Sequence, residues 1–177
     1  MITPGNIEIK RIGAADATRL NEIAVRAYSD HYKHLWYDGG KWYIEKSFSQ
    51  ENLLQELKDT NAWFFIIYYS KKVVGFLKLN IDAPFAHEEN INALELERIY
   101  LTKSATGKGI GKKIVDYTAT IAKAKDKKLI WLKVMDSSTD AIEFYKKMGF
   151  EICGDAHLNF EMMKPEFRGM YVMKKLL

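Results

Sequence analysis

The chain is poor in cross-links and in chain breakers: its 177 residues include one cysteine, three prolines and eleven glycines. Cys153 alone cannot close an internal disulfide, which excludes a stapled secreted scaffold and leads us to expect a reducing, cytoplasmic setting. Long apolar runs are missing too. The longest, WFFIIYY from Trp63 to Tyr69, falls far short of the ~18 residues a membrane span needs. Met1–Lys10 (MITPGNIEIK) has neither a basic start nor an apolar stretch, so no signal peptide is expected. Repeats, low-complexity tracts and linkers are absent, and we expect one domain over residues 1–177. A chain of that length buries roughly 70% of the surface it exposes when unfolded. With 47% hydrophobic and 13% aromatic residues it has the material for a packed core, not a disordered chain.

Charge is nearly balanced overall, at +4, but unevenly spread. Leu101–Lys133 holds nine lysines against two acids, Glu22–Thr60 seven acids against five basic residues. Such a split lets one part attract an anion while the other tolerates a cation, although solvated faces would look the same. A nucleic-acid module would interleave aromatics with its lysines on a sheet or reading helix, and the basic segment shows neither arrangement.

Periodicity predicts the elements. Asn6–Ile12 alternates as a short strand, and Ala14–Tyr32 carries a helical stripe (Ala17, Leu20, Ile23, Ala24, Ala27). His34–Tyr43, broken by Gly39-Gly40, reads as a loop, and Ser49–Lys58 as a second helix. Trp63–Tyr69 and Val73–Leu79 are β-rich runs separated by Ser70-Lys71-Lys72, hence a hairpin. Leu94–Leu101 is the next strand, whose alternation sets Glu95, Glu97 and Ile99 on one face and Leu96, Arg98 and Tyr100 on the other. A helix from Ile110 to about Lys125, a buried strand at Leu129–Val134, a helix over Thr139–Met148 ending at Gly149, and strands at Phe150–Cys153 and Tyr171–Leu176 follow. The order βααβββαβαββ describes an α/β fold: a mixed sheet of six or seven strands flanked by about four helices.

The chemistry concentrates in TGKGIGKK (Thr106–Lys113), where a strand gives way to a helix. A nucleotide P-loop fails here because Thr106 and Lys113 stand where glycine and Ser/Thr are required. The dinucleotide fingerprint fails because Lys112 stands where Gly107 and Gly109 would require the third glycine. A metal-free pyrophosphate cradle remains, built from the amides of Gly107, Lys108, Gly109, Ile110, Gly111 and Lys112 with about half a positive charge from the helix end. A plain glycine turn explains the same residues taken alone.

A second motif, VMDSSTDAIEFYKKMGF (Val134–Phe150), follows on the next strand–helix unit. Together the two resemble the GNAT superfamily of acetyl-CoA-dependent N-acyltransferases, which pairs Arg/Gln-x-x-Gly-x-Gly/Ala after one strand with Asn-x-x-Ala-x-x-Phe-Tyr-x-x-x-Gly-Phe after the next. Gly109 and Gly111 match the loop; Ala141, Phe144, Tyr145, Gly149 and Phe150 match the helix. LELERIYL (Leu94–Leu101), WFFIIYY and AIEFYKKMGF look most like the PaiA-type branch, the spermidine/spermine acetyltransferases. Two positions depart from the pattern: Thr106 replaces Arg/Gln, and Ser138 replaces the Asn before the helix.

The resemblance implies acetyl-CoA as cofactor, held by Ile99, Tyr100, Leu101, the loop Thr106–Lys112, Ser138, Ala141 and Tyr145. It implies transfer to a primary amine, with polyamines first, Tyr145 as acid toward the departing thiolate, and Glu97 handling the amine's proton, Glu95 being the alternative. The rival readings are a protein or peptide N-acetyltransferase and a non-catalytic acyl-CoA-binding regulator. Relatives of this kind are often homodimers. An alkylammonium of pKa about 10.4 is neutral about once in 2,500 molecules at pH 7, so some group must take its proton. Tyr28, His31 and Tyr32, with Glu95 and Glu97, are expected to line the acceptor cleft. His31 and His34 sit three apart, but no further Cys or His recurs at ligand spacing, so no metal is expected.

Overall fold

The computed structural model describes residues 6–177; the first five residues of the N-terminal segment read above lie outside them. Strands β1 (Ile7–Arg11), β2 (Ala62–Tyr69), β3 (Lys72–Asn80), β4 (Ala93–Leu101), β5 (Leu129–Met135), β6 (Glu151–His157) and β7 (Gly169–Leu176) form one sheet in the order β1-β2-β3-β4-β5-β7-β6. All neighbours are antiparallel except β4 and β5, the pair joined by a helical crossover. The helices are α1 (Ala17–His31), α2 (Lys41–Phe48), α3 (Gln50–Lys58), α4 (Ile110–Ala124) and α5 (Thr139–Lys147).

Each face of the sheet has its own core. α4 and α5 cover the face carrying Phe65, Leu77, Leu94, Leu96, Ile130 and Leu132. α1, α2 and α3 cover the other, where Leu20, Tyr28, Trp36, Phe48, Phe64 and Phe76 pack. The stripe Ile110, Ile114, Val115, Thr118, Ala122 is buried as its spacing requires.

Two differences from the sequence expectation bear on the site. Lys41–Phe48 is a helix, one more than expected. Gly39 and Gly40, both left-handed (φ +71° and +89°), end the preceding turn and start this helix, so the glycine pair interrupts only its own residues. β4 also carries a bulge: Lys78 is opposite Arg98 and Leu79 opposite Leu96, which leaves Glu97 without a partner. The extra residue resets the alternation. Leu94, Leu96, Ile99 and Leu101 face α4 and α5, while Glu95, Glu97, Arg98 and Tyr100 gather with Lys78 and Asn80 on the α1 side. The expected grouping of Glu95 and Glu97 with Ile99 therefore does not hold; Ile99 lies across the sheet from them.

β4 and β5 pair only at Ala93–Leu129, Leu94–Ile130 and Glu95–Trp131. Beyond Glu95 the strands separate, and their facing backbone groups have no ladder partner among the described residues.

Candidate active site

The gap opened by the separating strands is flanked by two cavities. The first, of about 850 Å³, lies on the α4–α5 side and is lined by Ile99, Leu101, the loop Thr106–Lys112, Ser137–Ala141, Phe144 and Tyr145. Its loop is built for an anion. Gly107 and Gly109 are left-handed (φ +74° and +71°), and Gly109 starts α4. The amides of Gly107 through Lys112 donate to no acceptor among the described residues; the first bond of the helix is Lys113 N–H to the Gly109 carbonyl at 3.2 Å. A row of open amides at the positive end of a fifteen-residue helix is a cradle for a phosphate group. Gly111 has a separate reason: a Cβ there would stand 3.1 Å from the Phe144 ring, so the two motifs interlock where α4 meets α5.

The lysines of the loop contribute less than their number suggests. Lys108 lies 4.7 Å over the Tyr69 ring, and Lys112 pairs with Asp116 at 2.6 Å. The Thr106 hydroxyl turns back to donate to the Lys103 carbonyl at 2.9 Å, closing the preceding turn. That turn is anchored to α1 by the Lys103 amide donating to Asp30 at 2.8 Å. Ser138 starts α5 without a side-chain capping bond, so its hydroxyl faces both cavities uncommitted.

The second cavity, of about 520 Å³, lies on the α1–α2 side. Its wall is aromatic: Tyr28, Tyr32, Trp36, Tyr43, Tyr100 and Phe160, with Tyr28 fixed by a 2.8 Å bond from the Trp36 indole. Its floor is charged. Asn80 donates through one amide nitrogen to Glu95 (2.9 Å) and to Glu97 (2.7 Å). Glu97 is also paired with Lys78 (2.6 Å) and Arg98 (3.5 Å), and both cations pair with Glu56 on α3 (2.8 and 3.1 Å). Burial pushes the Glu97 carboxyl up, but Arg98, Lys78 and Asn80 outweigh it and hold the group below its ordinary value. Glu95 has no salt bridge among the described residues. Burial raises its carboxyl and neighbouring Glu97 raises it further, against the lowering bond from Asn80.

The two cavities share Tyr32, Leu35, Ile99, Met135, Ser138, Ala141 and Tyr145. Tyr145, on α5, thus stands where their contents would meet. Its hydroxyl has no hydrogen-bond partner among the described residues, and burial, reinforced by Tyr32, raises its pKa so that it keeps its proton at neutral pH.

Most residues expected at the site lie there: the loop, Ile99, Leu101, Ser138, Ala141 and Tyr145 on the first cavity, Tyr28, Tyr32, Glu95 and Glu97 on the second. Two are placed otherwise. Tyr100, expected on the cofactor side, is half-buried on the acceptor side against Tyr28, Tyr32, Phe48 and Phe76, because the bulge turned it there. His31, expected in the acceptor cleft, lines the loop cavity, its Nε2 donating to the Leu101 carbonyl at 2.9 Å. Asn80, Lys78, Glu56 and Lys133 were not expected. Asn80 and Lys78 are placed by the β3–β4 register, which no local pattern specifies across the long loop between those strands.

The chain resembles known proteins in sequence and in fold. A spermidine N(1)-acetyltransferase of Thermoplasma acidophilum is 28% identical over 159 residues, covering 83% of this chain and 89% of that one. An uncharacterized N-acetyltransferase of Lactobacillus delbrueckii subsp. lactis is 31% identical over 107 residues, and a spermine/spermidine N(1)-acetyltransferase of Bacillus subtilis 26% over 99. The matches to these two span only 62% and 63% of their lengths. In structure, the PaiA N-acetyltransferase from Thermoplasma acidophilum in complex with coenzyme A superposes with a TM-score of 0.75 at 24% identity, covering 97% of this chain and 99% of that one. The likeness is one of fold. The acetyltransferase (GNAT) family pattern matches residues 17–150, which with the fold and the paired motifs shows that this chain belongs to the GNAT acetyltransferase family.

Proposed function

We propose that this chain, as a single cytoplasmic domain, transfers an acetyl group from acetyl-CoA to the primary amine of a small molecule by direct attack. The observation that carries the reading is the meeting of two cavities at Tyr145, one ending in open amides and the other in carboxylates. The residues fit coenzyme A: the amides of Gly107–Lys112 suit its pyrophosphate, and the unpaired edges of β4 and β5 suit its amide-bearing arm. Bound there, the thioester supplies an activated acyl group.

The chain's own groups do the rest. The aromatic wall of the second cavity accepts an alkylammonium through ring faces. Glu95 takes the amine's proton, directly or through water. Its raised pKa narrows the gap to the ammonium, which Glu97, held ionised by two cations, does not. Tyr145 donates a hydrogen bond to the sulfur as charge develops on it. Its raised pKa makes full proton transfer uphill toward a thiol of about 8.5, so stabilisation by the bond precedes transfer.

The Thermoplasma and Bacillus relatives, named for spermidine and spermine, make polyamines the first acceptors to try. The test is thiol release from acetyl-CoA, with mass spectrometry of products, against spermidine, spermine, simple amines, amino acids and peptides. A no-acceptor blank covers half-buried Cys153. Amine-dependent turnover that collapses in Tyr145→Phe supports the reading. Turnover on peptides alone would make the chain a protein acetyltransferase, and acetyl-CoA binding with no product from any acceptor would leave only a sensor.

A further inference from the structure

The charges that line the acceptor cavity are Glu95, Glu97, Arg98 and Lys133. Glu97 and Arg98 are absorbed, with Lys78 and Glu56, into a four-membered network of two acids and two bases. That network is neutral and closed. What remains for an incoming molecule is Glu95, without a salt bridge, and Lys133, whose exposed ammonium has no salt bridge or hydrogen bond among the described residues, lies 6.0 Å from the Trp131 ring and acts on Glu95 only through space.

Their placement follows from the strands. Glu95 is level with Trp131 in the parallel pair, and Lys133 lies two residues further on the same face of β5, just past the point of separation. At about 3.3 Å per residue Lys133 stands about 7 Å short of Met135, which lines both cavities. A single small molecule can therefore touch Lys133 at one end of a short span and present its amine beside Met135 and Tyr145 at the other. The Asn80 amide nitrogen is spent on the two glutamates, so its carbonyl oxygen, which has no partner among the described residues, adds an acceptor for an N–H.

We propose that Lys133 determines acceptor specificity by binding an anionic group, so that the acceptor is an amine that also carries a carboxylate, such as an amino acid. A polycation gains nothing net from a cavity whose free charges are one acid and one base; a carboxylate on Lys133 leaves the amine toward Met135, and Glu95, on the other side of Lys133, reaches that amine through water. This inference rests on the acetyl-transfer reading and narrows the acceptor within it.

The experiment compares matched pairs that differ only by the carboxylate: leucine with 3-methylbutylamine, phenylalanine with 2-phenylethylamine, and 4-aminobutyrate with propylamine, alongside spermidine. Acetylation is read by product mass for the wild type, Lys133→Met, Lys133→Arg and Lys133→Glu, each checked for an unchanged melting temperature. At least one carboxylated member is expected to exceed its partner in kcat/KM. Lys133→Met is expected to reduce that ratio by about tenfold or more, through KM, as loss of a charge-assisted bond should. Lys133→Arg retains the preference, and Lys133→Glu shifts it toward spermidine. If spermidine is the better substrate of the wild type, or no carboxylated amine beats its partner, the inference is overturned while acetyl transfer stands. If no amine is acetylated at all, the acetyl-transfer reading itself falls, and this inference with it.

Discussion

Two neighbouring glutamates give opposite answers to the same substitution. Replacing Glu97 with glutamine removes one acid from the network on the sheet floor and leaves Lys78, 8% exposed, and Arg98 sharing Glu56 alone. Breaking a buried pair outright costs about 3–5 kcal/mol. Each cation here keeps its second partner, so roughly half applies, about 2 kcal/mol, or about 4–8 °C in melting temperature for a chain of this size. The pH dependence has a definite sign. The Glu97 carboxyl is held below its ordinary 4.5, so its contribution is complete above that value and lost as pH falls through the lower folded one. Glu97→Gln and wild type should therefore converge in acid. Glu95→Gln acts the other way: burial opposes the charged form of its carboxyl, so an amide holds or raises the melting temperature. Turnover should fall by about a hundredfold or more, and with it the acidic limb of kcat/KM, which in the wild type lies above the ordinary glutamate value. Thermal melts by circular dichroism and thiol-release rates across pH measure both. Turnover abolished in Glu97→Gln at unchanged stability, with Glu95→Gln active, would refute the assignment.

Other substitutions test the remaining parts of the site. Tyr145→Phe should lower kcat by about a hundredfold while acetyl-CoA affinity, by titration calorimetry, changes little. Gly111→Ala should weaken acetyl-CoA binding by about tenfold, since its Cβ would press on Phe144 at 3.1 Å; adding Phe144→Leu should recover part of the loss. Gly75→Ala should cost about 2 kcal/mol or more in a denaturant melt, because its Cβ would meet the Tyr100 carbonyl oxygen and stand 2.6 Å from the Leu101 side chain.

What the sequence disclosed was local. The loop Thr106–Lys112 and the helix carrying Phe144 and Tyr145 each declare themselves by spacing within one turn, and each stands where expected. What it concealed depended on partners. Strict alternation along LELERIYL put Glu95 and Glu97 with Ile99, and the bulge, a property of β4 against β3, moved Ile99 away and brought Arg98 and Tyr100 in. Helix α2 was hidden because Gly39-Gly40 and its aromatics look like a loop until Tyr43 and Phe48 are seen packing on Tyr28. β6 runs on to His157, past the expected end at Cys153, because Cys153 is the extra residue of a bulge and pairing resumes at Gly154 opposite Val172. The Glu56–Lys78–Glu97–Arg98 network spans α3, β3 and β4, three segments with no local pattern in common.

The short pairing of β4 with β5 also has a mechanical side. Seven strands are joined across the middle of the sheet by three residue pairs, whereas the adjoining β3–β4 and β5–β7 ladders have six and seven. The sheet is therefore two stiff plates riveted along a short edge, each plate carrying one wall of the gap. Under load, or in hydrogen exchange, the short rivet line yields before either plate does. The width of the gap is thus set by a joint a few residues away, and substitutions at Ala93, Leu94 or Leu129 would alter it without touching any group that does chemistry.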